Sequence, residues 1–197
     1  MLVFPKAGLV LLAAPKTATT AIESALAPQA AVVLRNPPEL KHMPLYRYNR
    51  LFKPLLEKTG LTGMETAAMI REPEDWLRSW YRYRSREALQ GQPQYTGNLD
   101  FDSFVKAYLR ARRPAFANIG SQAKFLSDGN GAVGVTHLFR YENLSGYIRF
   151  LSQRLTLDIH LQRKNVSPPR EARLSPGVRK RLREKCAQEF AIWQNAL

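Results

Sequence analysis

Residues 9–14 (Leu-Val-Leu-Leu-Ala-Ala) form a short, continuously apolar run that ends abruptly at a proline, a lysine and three threonines. An apolar run of this length is typical of a strand that is buried on both faces of a sheet. Ile22, Ala25 and Leu26 follow at helical spacing, and Pro28 closes the segment. The stretch therefore predicts a strand, a loop and a helix in succession.

The loop at residues 15–20 (Pro-Lys-Thr-Ala-Thr-Thr) lies at the carboxyl end of that predicted strand. The first backbone N–H groups of a helix lack internal partners and favour an anion in front of them. Lys16 adds a full positive charge, and we expect Thr17, Thr19 and Thr20 to cap the helix. The loop therefore predicts an anion-binding site.

Similar patterns continue along the 197 residues of the chain. Further strands are predicted at residues 30–34, 65–70 and 134–139. Further helices are predicted at residues 44–60, 74–87, 101–109, 144–154 and from residue 175 onward. Strands that alternate with helices indicate an α/β fold, so we expect a single domain over residues 1–197 with a central parallel sheet flanked by helices.

The composition restricts the class of protein and the kind of partner. The formal net charge is +14, which favours polyanionic partners such as nucleic acid, an acidic glycan, an anionic membrane face or a multiply charged nucleotide. The single cysteine, Cys186, excludes an internal disulfide and a thiolate metal cluster. We find no apolar stretch long enough for a transmembrane segment and no signal-peptide pattern, so we expect a soluble, cytoplasmic protein.

A second anion-binding pattern follows the strand predicted at residues 65–70. Arg71, in Arg-Glu-Pro, stands at the end of that strand, and Ser79 lies about two turns into the next helix. The proline turns the chain at the helix entrance, so both side chains can reach one phosphate. Arginine supplies a planar, permanently charged fork and serine a short hydroxyl donor.

Both patterns resemble those of the sulfotransferases. The loop is similar to the 5′-phosphosulfate loop of that family, Pro-Lys-x-x-Thr-Thr, in which glycine or another small residue usually stands where this chain has Ala18. The Arg-x-Pro pattern followed by Ser79 resembles the 3′-phosphate site of the same family. The resemblance implies a P-loop-like sulfotransferase fold that uses 3′-phosphoadenosine 5′-phosphosulfate (PAPS) as co-substrate and releases 3′,5′-ADP, without a metal. It implies that the donor is bound by Pro15, Lys16, Thr17, Ala18, Thr19, Thr20, Arg71 and Ser79.

The segment Lys41-His42 resembles the Lys-His-x-x-Leu segment of bacterial relatives of the carbohydrate sulfotransferases. In that family, a histidine or glutamate near the first loop removes the proton of the acceptor. The resemblance therefore implies two catalytic residues, Lys16 at the leaving phosphate and His42 as the base, and an imidazole that titrates near neutrality suits that role. A structural role for His42 is the alternative. His137 and His160 fit a packed or surface position better.

Two later segments match the family more weakly. Residues 139–144 (Phe-Arg-Tyr-Glu-Asn-Leu) resemble its Arg-Tyr-Glu-x-Leu segment, where Glu142 would cap a helix or pair with an arginine. Asn165-Val166-Ser167 resembles a late Asn-x-Ser loop near the nucleotide, where Arg163 or Lys164 would touch a phosphate.

Two other classes of protein stay open on the sequence alone. A P-loop-like nucleotide kinase would use the same loop with ATP and magnesium, and a basic nucleic-acid-binding module would account for the positive charge. Neither class predicts both anion-binding patterns at their observed spacing, so we expect no specific nucleic-acid partner. The acceptor is expected to be a hydroxylated compound, either a carbohydrate or an acidic metabolite.

Overall fold

The computed structural model describes residues 1–162 and 170–197, and it has an α/β fold. The strands are β1 (Leu2–Phe4), β2 (Leu9–Leu11), β3 (Val32–Val33), β4 (Glu65–Ile70) and β5 (His137–Arg140). The helices are α1 (Thr19–Leu26), α2 (Pro38–Lys41), α3 (Leu45–Arg47), α4 (Lys53–Lys58), α5 (Pro73–Arg84), α6 (Phe101–Tyr108), α7 (Gln122–Leu126), α8 (Leu144–Leu155), α9 (Pro176–Lys185) and α10 (Ala187–Asn195). A π-helical turn, Tyr48–Phe52, joins α3 to α4.

The strands form one sheet in the order β3-β1-β2-β4-β5. β2 pairs in parallel with β4, and β4 pairs in parallel with β5. β1 runs antiparallel to both of its neighbours, β2 and β3. The prediction of a central parallel sheet is therefore confirmed in part, because the sheet is mostly parallel and β1 is its antiparallel strand.

The prediction also missed β1 itself. A hairpin connects β1 to β2 through the 3₁₀ turn Pro5–Ala7, and Gly8 closes that turn with a left-handed φ of 60° that glycine adopts at little cost. The strand expected to open the sheet is thus its second strand. It is also shorter than the predicted residues 9–14, because a turn at Ala14, whose N–H donates to the Leu12 carbonyl, begins the loop early.

Contacts divide the chain into two compact units. The first comprises Met1–Arg71, Ser121–Lys164 and Asn195–Leu197, and the second comprises Glu72–Gly120 and Asn165–Gln194. The single domain predicted for residues 1–197 stays a prediction.

The core of the first unit lies between the sheet and two helices. Ile22 and Leu26 of α1 and Leu151 of α8 pack in one buried cluster with Leu9 of β2 and Met69 of β4. The residues that alternate with these on the strands, such as Val10, are fully buried as well. Burial on both faces explains why these strands read as continuous apolar runs in the sequence.

The register of the parallel strands brings three loops to one edge of the sheet. Leu11 lies opposite Ala67, so the chain leaves β2 beside β4, and the amide of Leu12 extends the pairing with a 2.9 Å hydrogen bond to the Ala67 carbonyl. Ile70 lies opposite Arg140, so β4 and β5 end level with each other. The loop at residues 15–20 and the residues that follow β4 and β5 therefore share the carboxyl edge, where α/β proteins bind their ligands.

The second unit is helical in its described part. Its buried cluster includes Trp76 and Tyr81 of α5, Phe104 of α6, Leu182 of α9 and Phe190 of α10. The helices predicted at residues 101–109 and from residue 175 onward therefore contribute buried residues to this cluster. Asp100 caps α6, because its carboxylate accepts a 2.6 Å hydrogen bond from the amide of Ser103.

Arginines of the second unit bind main-chain carbonyl groups. The pairs are Arg78 Nε to Ala172 O at 3.1 Å, Arg82 Nε to Arg170 O at 3.0 Å, Arg84 Nη1 to Ala115 O at 2.7 Å and Arg113 Nη1 to Gly120 O at 2.8 Å. These carbonyl groups lie outside the α-helices and strands, and the Ala115 carbonyl belongs to the 3₁₀ turn Ala115–Ala117. These four arginines therefore have a structural role in the second unit.

Two leucines on helices of the first unit provide a test of where its stability originates. Leu151→Ala should lower the free energy of unfolding by about 2–5 kcal/mol, because it opens a cavity at a fully buried position of α8. The same substitution at Leu55 of α4, which is 54% exposed, should change it by about 0.5 kcal/mol or less. Urea denaturation measures both values, and similar losses for the two variants would contradict this description of the core.

Candidate functional site

The loop at residues 15–20 passes from β2 to α1 through two residues with left-handed backbone. φ is 70° at Lys16 and 56° at Ala18, a region that costs an L-residue other than glycine roughly 1–2 kcal/mol. Such a turn directs successive backbone N–H groups toward one point, as anion-binding loops do. The N–H groups of Ala18, Thr19 and Thr20 make no hydrogen bond within the described part of the chain. Local strain of this kind is common at binding sites.

The expectation that threonines cap α1 is wrong. The residue that precedes the helix is Ala18, and it receives no side-chain cap. Thr17 is buried, and its hydroxyl donates a 2.8 Å hydrogen bond back to the Ala14 carbonyl. Thr19 and Thr20 form the first turn of the helix itself. Because the hydroxyl of Thr17 bonds the Ala14 carbonyl, it does not cap the first amides of α1.

Arg71 and Lys16 meet at this edge of the sheet. Arg71 follows β4 directly, and its Nη1 donates a 3.1 Å hydrogen bond to the main-chain oxygen of Lys16. The guanidinium carbon lies 4.4 Å from the centre of the Tyr141 ring, in a cation–π contact. The two cationic residues that the sequence assigned to separate patterns are therefore neighbours.

Gln122 holds the backbone of Arg71 in place. Its side-chain oxygen accepts a 2.9 Å hydrogen bond from the Arg71 amide, and its side-chain nitrogen donates a 2.8 Å bond to the Arg71 carbonyl. Gln122 is buried at the start of α7. No local pattern in the sequence indicates Gln122, and Tyr141 stands out only as part of a family segment, because neither residue is near Arg71 in the chain.

His42 lies against the end of β2, just before the loop. Its Nδ1 is 2.6 Å from the carbonyl oxygen of Ala13. Because a carbonyl can only accept, Nδ1 carries the proton and the neutral ring presents the lone pair at Nε2. Burial lowers the pKa of His42 below its ordinary value, the hydrogen bond to Ala13 acts in the opposite direction, and the charge of Lys41 lowers it further. The net shift keeps the imidazole neutral, which is the form that a base needs.

A buried carboxylate on α1 fixes the segment that carries His42. Glu23 is paired with Lys41, whose Nζ is 2.8 Å from Oε2, and with Arg35 Nε at the other oxygen. Burial raises the pKa of Glu23, but the hydrogen bonds and charges of Lys41 and Arg35 outweigh it and the net pKa is lowered. The carboxylate is therefore charged at neutral pH and ties the residue before His42 to the helix that follows the loop.

The remaining predicted residues lie as follows. Ser79 is half-buried on α5 in the second unit, and its joint role with Arg71 stays a prediction. Glu142 does not cap α8, because the Asn143 side chain does so by accepting from the amide of Gly146. The predicted contacts of Arg163, Lys164 and the segment 165–167 lie outside the described residues.

The other two histidines have structural surroundings, as expected. His137 Nε2 lies 3.1 Å from Glu65 Oε2, and its ring packs on Phe150 at 4.8 Å. His160 is exposed and pairs with Asp158 at 3.0 Å. Of the three, His42 is the one beside the loop.

Comparison of the chain with protein-family models, with curated proteins and with solved structures finds no match. In residues 1–162 and 170–197, no group of three or more His, Cys, Asp or Glu side chains that could hold a metal ion comes together. Among the helices described, none has both the length and the apolar character that crossing a membrane requires.

The left-handed backbone at Ala18 leads to a test by substitution. Ala18→Gly should raise the free energy of unfolding by up to about 1 kcal/mol, because relief of the left-handed strain exceeds the entropy that glycine adds to the unfolded chain. Ala18→Val should lower it by about 1 kcal/mol or more, since a β-branched residue tolerates this φ poorly. The matched control is Ala25→Gly inside α1, where glycine should lower the stability. Denaturation curves that show equal losses for Ala18→Gly and Ala25→Gly would contradict the strained loop.

Proposed function

We propose that this protein is a sulfotransferase that moves a sulfuryl group from PAPS to a hydroxyl group of an acceptor. One observation carries the proposal: the Arg71 guanidinium lies 3.1 Å from the main chain of Lys16, beside a left-handed loop at the carboxyl edge of the sheet. The two residues that the resemblance assigns to opposite ends of one donor are thus close enough to act on one molecule. PAPS, when bound, supplies the sulfuryl group and a phosphate leaving group.

The loop at residues 15–20 fits the 5′-phosphosulfate end of the donor. The amides of Ala18, Thr19 and Thr20 open toward an anion at the start of α1, where the helix dipole adds partial positive charge. The side chain of Lys16 would neutralise the negative charge that grows on the leaving phosphate. An interaction that strengthens in this way toward the transition state raises the turnover rate and not only the affinity.

Arg71 would bind the 3′-phosphate of the donor. Its guanidinium rests on Tyr141, and its backbone is fixed on both sides by Gln122, so the charged fork loses little freedom when it binds. A planar guanidinium matches phosphate oxygens in a bidentate manner. The assignment of Ser79 to the same phosphate stays with the sequence prediction.

His42 would take the proton of the acceptor hydroxyl at Nε2. The carbonyl of Ala13 holds the ring by Nδ1, and burial keeps it neutral near pH 7. Glu23 contributes by position, since it anchors Lys41 next to His42. The acceptor itself, a carbohydrate or an acidic metabolite, stays a prediction from the sequence.

The donor assignment is tested by ligand binding and turnover. Binding of 3′,5′-ADP should raise the melting temperature of the protein, while ATP with magnesium and an oligonucleotide in parallel samples should raise it far less. Arg71→Gln should weaken 3′,5′-ADP binding at least about tenfold in calorimetry, because the charged fork is lost. Lys16→Met should lower turnover about 100- to 1000-fold, since charge stabilisation at the leaving phosphate disappears.

Lys6→Met is the matched control for Lys16→Met, because Lys6 is an exposed lysine of the same unit away from the loop. It should leave turnover and binding unchanged. Stabilisation by ATP with magnesium but not by 3′,5′-ADP would favour a kinase and reject the sulfotransferase. Normal turnover of the Lys16→Met protein would remove Lys16 from the mechanism.

The role of His42 is tested by the pH dependence of turnover. The base acts in its neutral form, so kcat should rise with pH through an apparent pKa below 6.5, the ordinary histidine value, and stay level above it. His42→Gln should lower kcat about 100-fold or more and leave 3′,5′-ADP affinity unchanged. His160→Gln, at an exposed histidine, is the control and should behave as the unaltered protein. An acidic limb that persists in the His42→Gln protein would assign the base to another residue.

A further inference from the structure

The helical segment that follows His42 exposes two leucines side by side. Leu51 and Leu55 are 56% and 54% exposed, and Leu55 is four positions after Leu51, so they are neighbours on one face of the helix. Arg47 and Lys58 continue the same row at helical spacing, one at each end, and both are exposed. We call Arg47, Leu51, Leu55 and Lys58 the outward row.

The opposite face of the segment is anchored in the first unit. Leu45, Tyr48 and Leu56 are almost completely buried. The segment runs without interruption through α3, the π turn Tyr48–Phe52 and α4. The leucines of the outward row are therefore held toward solvent by a fixed helix.

The charge around the outward row is positive. Arg50 adds a third exposed cation to those at the two ends of the row. Lys53 Nζ lies 3.9 Å from Glu57 Oε1, so a lysine of the same segment balances the charge of its acidic residue. Arg47, Arg50 and Lys58 have no carboxylate within salt-bridge distance in the described residues. The face thus combines an apolar centre with a cationic border.

We propose that the outward row docks on an anionic membrane surface. Leu51 and Leu55 would enter the boundary between headgroups and acyl chains, while Arg47, Arg50 and Lys58 remain at the level of the lipid phosphates. The charge complementarity selects an anionic surface, and the exposed leucines select a lipid over a nucleic acid, whose phosphates offer aliphatic side chains no apolar layer. Two leucines and three cations give reversible, peripheral binding.

Cosedimentation with vesicles tests this surface, and it does not depend on the sulfotransferase reaction. The full chain should bind vesicles of phosphatidylglycerol and phosphatidylcholine, bind vesicles of phosphatidylcholine alone far more weakly, and be released at high salt. The double variant Leu51→Ser/Leu55→Ser keeps every charge and should lose about tenfold or more in vesicle affinity. Arg47→Gln/Lys58→Gln should lose about tenfold as well.

The matched control is Leu197→Ser/Arg149→Gln, which alters an exposed leucine and an exposed arginine elsewhere in the first unit. It should bind as the unaltered chain, and circular dichroism should show that all variants are folded. If the leucine variant binds vesicles as tightly as the unaltered chain, the binding comes only from the general attraction of a chain of charge +14, and the proposal is wrong. If the unaltered chain binds polyglutamate strongly but does not bind vesicles, and the leucine variant binds polyglutamate equally well, the face would be assigned to an acidic protein instead.

Discussion

The hydrogen bond from Arg71 to the main chain of Lys16 joins parts of the chain that lie 55 residues apart, and the rest of the candidate site is arranged around it. It forms because β2 and β4 are parallel neighbours, so the chain that leaves β2 opposite Ala67 continues beside the carboxyl end of β4. A guanidinium at this point supports a loop that two left-handed residues make strained. The position of the Arg71 charge and the shape of the loop therefore depend on the same hydrogen bond.

Local patterns in the sequence were sufficient for much of the fold. The segment at residues 65–70 was predicted as a strand with the bounds that β4 has. The Arg-Glu-Pro sequence after it marked the start of α5 within one residue. β1 was not predicted, because three apolar residues are too few to show the period of a strand or of a helix. Its strand conformation depends on pairing with β2 and β3, which local sequence does not contain.

The residues of the candidate site also fall into two groups, those that the sequence indicated and those that only the fold brings together. The position of Lys16 after a strand end followed from a local pattern, and His42 was indicated by a family resemblance. Gln122 and Tyr141 reach Arg71 only through the order of the strands in the sheet. The wrong threonine caps have a local cause, because composition does not distinguish a hydroxyl that faces the helix from one that faces Ala14. Net charge was also ambiguous, since Arg82 and Arg84 bind carbonyl groups of their own unit.

For the proposed PAPS site, the left-handed turns at Lys16 and Ala18 bear on how selectively a phosphosulfate group would be bound. A loop of fixed shape has little disorder to lose on encounter, so the incoming group meets amides that already converge. Tetrahedral oxyanions match such a concave arrangement, whereas flat carboxylates reach fewer of its donors. Discrimination between abundant cellular acids and a sulfate or phosphate ester would then be made at first contact, before any movement of the chain.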